Sequence, residues 1–235
     1  MKSNTMFKLS TFIAILLCTM TYAGTTQPAS FVDKLKAGTP QKIVFYGTSL
    51  THYGAWPKQV TEALDHAFPK LVTTFNGAQS GEQSRWGLQH VKERVIDQQP
   101  DVVFIEFTTN DAVRRFNLSV DQARKNTQSI IDQILAARPD CQIILLTMNP
   151  VIGRPKGDGG ERVDLPAYEQ MYRDLCKAHG YTLIDNAPGW KTLLDQGEDE
   201  YKKFVPDGTH PNGPGFEKYV TPNVIKTLGI PQSSK

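Results

Sequence analysis

The chain has 235 residues, 39% of them hydrophobic and 21% charged. That balance excludes a disordered polypeptide and supplies enough apolar surface for one core-forming domain of α/β size. A formal charge of +2 is too small for an electrostatic footprint on nucleic acid, so no nucleic-acid partner is expected.

The first segment, Met1 to Ala23, places Lys2 and Lys8 before an apolar stretch from Phe12 to Met20, with Thr21 and Ala23 at the −3 and −1 positions of a cleavage site. This is the layout of a secretory signal peptide. The stretch is shorter than the ~20 residues a membrane span needs, which argues against a retained anchor. Residues 1–23 are therefore expected to direct export, periplasmic or secreted, and to be removed, leaving no stable membrane insertion. Removal would take away two lysines and no acid, so the +2 charge belongs to the leader. It would also remove Cys18. Cys141 and Cys176 would then face an oxidising compartment, either bridged or as two buried thiols.

Residues 24–40 read as a polar lead-in, and 41–230 as the domain. Short apolar runs predict strands at Gln41–Gly47, Leu71–Asn76, Val102–Phe107, Gln142–Met148 and Tyr181–Asp185. Helical spacing of apolar residues marks Trp56–Phe68, Trp86–Ile96 and Val120–Ala137. A further helix is predicted over Pro166–His179, opened by proline and closed by Gly180. The tail Gly213–Leu228 reads as helical with Pro222 as an interruption. Strand–helix alternation repeated five times implies a three-layer α/β/α sandwich around a five-stranded, mainly parallel sheet. Ligands of such sheets sit at the carboxyl ends of the strands, so the loops after the strands should line one rim. The glycine-rich loop Asn149–Asp164 lies on that rim and suits a lid.

Four rim loops carry groups with chemical potential. In GTSLT, Ser49 follows a strand and a glycine turn where a helix begins. In SGEQ, Gly81 can bring a bare backbone N–H to a ligand. In TTND, the Asn110 amide can donate to an oxyanion. In DGTHPN, Asp207 stands three residues before His210, a spacing that lets the carboxylate hold one imidazole nitrogen while the other takes a proton from a serine. Taken singly, each has an ordinary reading as a cap, turn or surface group. There is no HExxH, no paired Cys/His spacing, no P-loop and no dinucleotide fingerprint, so no metal or cofactor is expected.

In this order the four segments resemble the SGNH, or GDSL-type, esterase family, named for Ser, Gly, Asn and His in four blocks. The resemblance runs from Ile43 to His210 and implies the flavodoxin-like SGNH hydrolase fold. It also implies a catalytic set of Ser49, Asp207 and His210. The Ser49 and Gly81 backbone N–H groups and the Asn110 amide would form the oxyanion hole. Two positions depart from the pattern. Thr48 stands where Asp is usual, and Thr108 where Gly is usual; a turn requiring positive φ there would strain threonine. His52, Arg85 and Trp86 are candidate substrate-binding residues on the rim. The expected function is an exported serine esterase removing small acyl groups, acetyl foremost, from a carbohydrate or other acylated small molecule. The alternatives are a lysophospholipase or short-chain lipase, and a catalytically silent carbohydrate-binding relative.

Overall fold

The structure, a computed structural model, describes residues 30–232 apart from 155, 156, 158 and 163. The expected leader lies outside these residues. In chain order the elements are α1 (Phe31–Lys36), β1 (Gln41–Gly47), α2 (Ser49–His52), α3 (Trp56–Ala67), β2 (Val72–Asn76), α4 (Ser84–Arg94), β3 (Val102–Glu106) and α5 (Thr108–Asp111). There follow α6 (Val120–Ala137), β4 (Gln142–Thr147), α7 (Leu165–His179), β5 (Thr182–Asp185), α8 (Ala187–Leu194), α9 (Glu198–Lys202), α10 (Gly213–Tyr219) and α11 (Thr221–Leu228).

The five strands form one sheet in the order β2-β1-β3-β4-β5, and every pairing is parallel. Strands inside a parallel sheet are buried on both faces, which is why β1, β3 and β4 are nearly continuous apolar runs. Their alternate residues feed two cores. Phe45, Phe104, Ile144 and Ile184 pack with α1, α3, α8, α10 and α11. Tyr46, Val103, Ile105 and Leu145 pack with α4, α6 and α7 on the opposite face. β2 and β5 are the edge strands, and both are only partly buried.

Three local outcomes refine the sequence reading. The lead-in contains α1, capped by the Ser30 side chain, with Phe31, Val32 and Leu35 buried in the first core. Phe31 donates its backbone N–H to Gln142 Oε1 at 2.9 Å, which ties the helix to β4. The helical tail is interrupted as expected, with the break at Val220 between α10 and α11; Pro222 sits in the first turn of α11, where its missing N–H costs nothing. Cys141 and Cys176 are free buried thiols rather than a disulfide. Burial pushes both thiols up to about 12, which suppresses the thiolate that oxidation requires.

Candidate active site

The strand order reverses between β2 and β3 around β1, so a crevice opens beyond the carboxyl ends of β1 and β3. Ser49 leaves β1 at this point. Gly47 is needed there, because a Cβ would come within 2.4 Å of the Glu106 backbone oxygen. Thr48 caps α2 by accepting from the Leu50 N–H at 3.2 Å. Its hydroxyl also donates to Glu106 Oε2 at 2.8 Å, and Thr51 Oγ1 donates to the same oxygen at 3.0 Å. Glu106 is completely buried at the end of β3. A carboxylate is thus present beneath the serine turn, but β3 supplies it. Burial raises its pKa to about 7 against the pull of these hydrogen bonds.

Asp207, His210 and Ser49 form a hydrogen-bonded chain. Asp207 Oδ1 accepts the backbone N–H groups of Thr209 at 2.8 Å and His210 at 2.6 Å. Asp207 Oδ2 lies 2.6 Å from His210 Nδ1, and His210 Nε2 lies 2.9 Å from Ser49 Oγ. Partial burial pushes the Asp207 carboxyl up, but its bonds to the His210 ring and to the two backbone N–H groups outweigh this and leave its pKa lowered. A carboxylate at Oδ2 assigns the ring proton to Nδ1, so Nε2 is free to accept the serine proton. The turn depends on Gly208, at φ +73°, where a Cβ would meet the Ile152 oxygen at 2.5 Å.

Gly81 has φ +82° with open space around it. Among the described residues, the backbone N–H groups of Ser49 and Gly81 have no partner within the chain. Asn110 donates from Nδ2 to the Glu82 carbonyl at 2.8 Å and accepts at Oδ1 from Arg162 Nη2 at 3.4 Å. These contacts orient the amide and leave its second Nδ2–H available. Thr108 opens α5, and among the described residues the non-glycine positions with positive φ are Lys70, Gln99 and Asn117. The expected strain at Thr108 is absent because this turn is a right-handed helical one. The neighbouring Asp111 accepts the Ser84 N–H at 2.7 Å and so joins α5 to the start of α4.

Two cavities meet at Ser49 and His210. One, of 190 Å³, is lined by Leu50, Tyr53, Gly54, Pro211 and Phe216 besides the pair. The other, of 350 Å³, adds Ser80, Gly81, Asn110, Arg115, Phe116, Arg154, Arg162 and Thr209. Tyr53, 78% exposed, stands at the mouth of both.

The three residues expected to bind substrate do not line these cavities. His52 Nδ1 accepts the Ser80 N–H at 3.3 Å and lies 3.2 Å from Ser80 Oγ, so it braces the loop carrying Gly81 from behind. Trp86 stacks on His90 and packs against Tyr46, because its phase on α4 turns it toward the sheet. Arg85 is exposed and lines a separate cavity with Arg114 and Gln122. Arg154 and Arg162 escaped sequence reading. Their only signal was a place on the glycine-rich rim loop, and loop length carries no information about which side chains turn inward. Glu106 was hidden as one letter of an apolar strand.

A model of the GDSL-like lipase/acylhydrolase family matches residues 43–218. A multidomain esterase of Ruminococcus flavefaciens is 23% identical over 119 residues, which are 51% of this chain and 14% of that protein, so the chain spans a small part of this relative's length. Among solved structures, the acetylxylan esterase Axe2 of Geobacillus stearothermophilus superposes with a TM-score of 0.69 at 19% identity, over 83% of this chain and 98% of that one. A protein of Parabacteroides merdae classed with the GDSL-like lipases superposes with a TM-score of 0.72 at 16% identity, over 82% of this chain and 97% of that one. These likenesses establish the fold.

Proposed function

Since this chain belongs to the GDSL-like lipase/acylhydrolase family and is a carboxylic ester hydrolase, we propose that it removes small acyl groups, acetyl foremost, from a carbohydrate, through Ser49, His210 and Asp207. The observation that carries the mechanism is the unbroken chain of contacts from Asp207 through His210 to Ser49 Oγ, open to a cavity. Ser49 Oγ attacks the ester carbonyl carbon while His210 Nε2 takes its proton. Asp207 steadies the imidazolium. The negative charge on the carbonyl oxygen is met by the Ser49 and Gly81 N–H groups and the Asn110 amide. His210 then returns the proton to the departing alcohol. Water, deprotonated by the same nitrogen, cleaves the acyl-enzyme to release the acid and restore Ser49.

Cavity volume limits the acyl group. The 190 Å³ cavity beside Ser49 falls below the ~300–1,000 Å³ usual for small-molecule pockets. Its walls, Leu50, Pro211 and Phe216, suit a methyl group better than a long chain. Similarity in fold to an acetylxylan esterase supports the same reading. Export remains part of the proposal, on the leader-like residues 1–23.

Initial rates on a series of 4-nitrophenyl esters test it. Acetate should be the preferred acyl group and octanoate poor; a preference for eight carbons or more favours the lipase alternative. Acetate release from acetylated polysaccharides identifies the alcohol side. A fluorophosphonate probe should label the wild type and leave Ser49→Ala unlabelled, whereas no labelling of either supports the silent carbohydrate-binding alternative.

A further inference from the structure

Outside the catalytic chain, the 350 Å³ cavity has an unusual charge balance. Three arginines line it, Arg115, Arg154 and Arg162, and no Asp or Glu does among the described residues. Arg162 is committed to the Thr109 and Gly160 carbonyls and to Asn110 Oδ1. The other two differ. Neither Arg115 nor Arg154 makes an ion pair with any described residue, and both are exposed. Of the six arginines outside this cavity, five have an ion pair with a described residue and Arg85 has none. Arg114, one residue away, meets Glu161 at 2.7 Å, and Arg173 meets Asp185 at 2.8 Å.

Both free guanidinium groups are held by the fold. Arg154 donates from Nη2 to Thr209 Oγ1 at 2.7 Å, beside His210. Its remaining N–H groups make no contact with described residues. Arg115 lies with its guanidinium 5.2 Å from the Phe116 ring centre, and its backbone N–H is fixed to the Gly159 carbonyl at 2.9 Å. The two come from separate segments, the turn 114–116 and the long rim loop. They therefore line the crevice from two walls rather than forming one surface stripe. Guanidinium groups present planar, two-pronged donors suited to carboxylate, sulfate and phosphate oxygens.

We propose that Arg115 and Arg154 form an anion-recognition subsite beside Ser49, and that the natural substrate is an acylated glycan bearing negative charge close to the ester. This rests on the esterase reading above and adds the character of the alcohol side. Uronate carboxylates and sulfate esters share the required chemistry. The leader accounts for the whole formal charge of +2, so attraction to an acidic glycan must arise locally.

Binding to Ser49→Ala, measured by calorimetry, tests the subsite apart from turnover. The probes are trigalacturonate, its fully methyl-esterified form, and a sulfated neutral trisaccharide beside its unsulfated parent. At least one anionic probe should bind about tenfold or more tighter than its neutral counterpart, and the difference should shrink as salt rises from about 50 to 500 mM. Introducing Arg115→Gln and Arg154→Gln together should remove the preference, while the two Lys replacements should keep part of it. Equal binding of charged and neutral probes to a protein with intact arginines overturns the proposal, whatever the variants do. So does a preference that survives both Gln substitutions. Turnover of 4-nitrophenyl acetate by the wild type is read separately. Turnover without charge preference removes the subsite alone, and charge preference without turnover keeps the subsite while removing the esterase mechanism.

Discussion

At the scale of single residues, the proposed mechanism rests on protons and dipoles fixed before substrate arrives. Asp207 sets the His210 tautomer through one oxygen and the turn geometry through the other. Asp207→Asn offers an amide to Nδ1 and favours the wrong tautomer, so kcat should fall roughly 10³–10⁴-fold with little change in fold. Steady-state rates beside far-ultraviolet circular dichroism check this. Asn110→Ala removes one oxyanion donor and should cost ~10²–10³ in kcat. Glu106 plays a quieter part. One of its oxygens receives the Thr48 N–H and the hydroxyls of Thr48 and Thr51, which hold the serine turn. Glu106→Gln can keep an acceptor oxygen there and should retain most activity. Glu106→Leu orphans the two buried hydroxyls at ~1–3 kcal/mol each, while the Thr48 N–H keeps the backbone carbonyl of residue 106; it should lower the denaturation midpoint and reduce kcat. Similar losses in both variants would show that oxygen acceptance at this position does not matter.

At the scale of elements, each helix has a legible local cause, yet legibility differed with length. Long helices such as α6 and α7 carry enough turns for a 3.6-residue period to stand out. α2 and α5 have four residues each, too few for any period, and both carry site residues. α1 was missed for the same reason: six residues with Lys and Asp among them read as polar, although Phe31, Val32 and Leu35 all turn inward. That burial makes α1 part of the domain rather than a tether. Phe31→Ala should destabilise the protein by ~3–5 kcal/mol, the usual cost of deleting a buried phenylalanine. Urea unfolding would measure it, and a change under 1 kcal/mol would return residues 30–40 to the status of a lead-in.

At the scale of the whole molecule, buried carboxyl groups set the pH dependence of stability. Glu106, Asp111 and Glu169 are each raised to about 7, mainly by burial. In the unfolded chain they ionise near pH 4, so between roughly pH 4 and 7 the native state holds more protons and stability falls as pH rises. Asp207 and Asp185 are lowered; their contribution is present above the ordinary carboxylate range and is lost as pH falls through their native values. The two windows adjoin near about pH 4, so the melting temperature should peak close to about pH 4 and fall towards about pH 7. Glu106→Gln should flatten the alkaline side of that peak in a calorimetric pH series, and an unchanged slope would exclude Glu106 as a source. Composition and strand–helix alternation by themselves determined the sheet, its parallel sense and the rim, because strands, turns and caps are local choices written in neighbouring letters; the four short motifs, through their joint family resemblance, singled out Ser49, Gly81, Asn110, Asp207 and His210 as candidates. Tertiary structure alone decided that Trp86 packs against the sheet, that His52 braces a loop, that two cysteines stay apart, and that Arg115 and Arg154 face the crevice. Those outcomes depend on helical phase and on which distant segments meet, and a distance between residues far apart in the chain has no local signature.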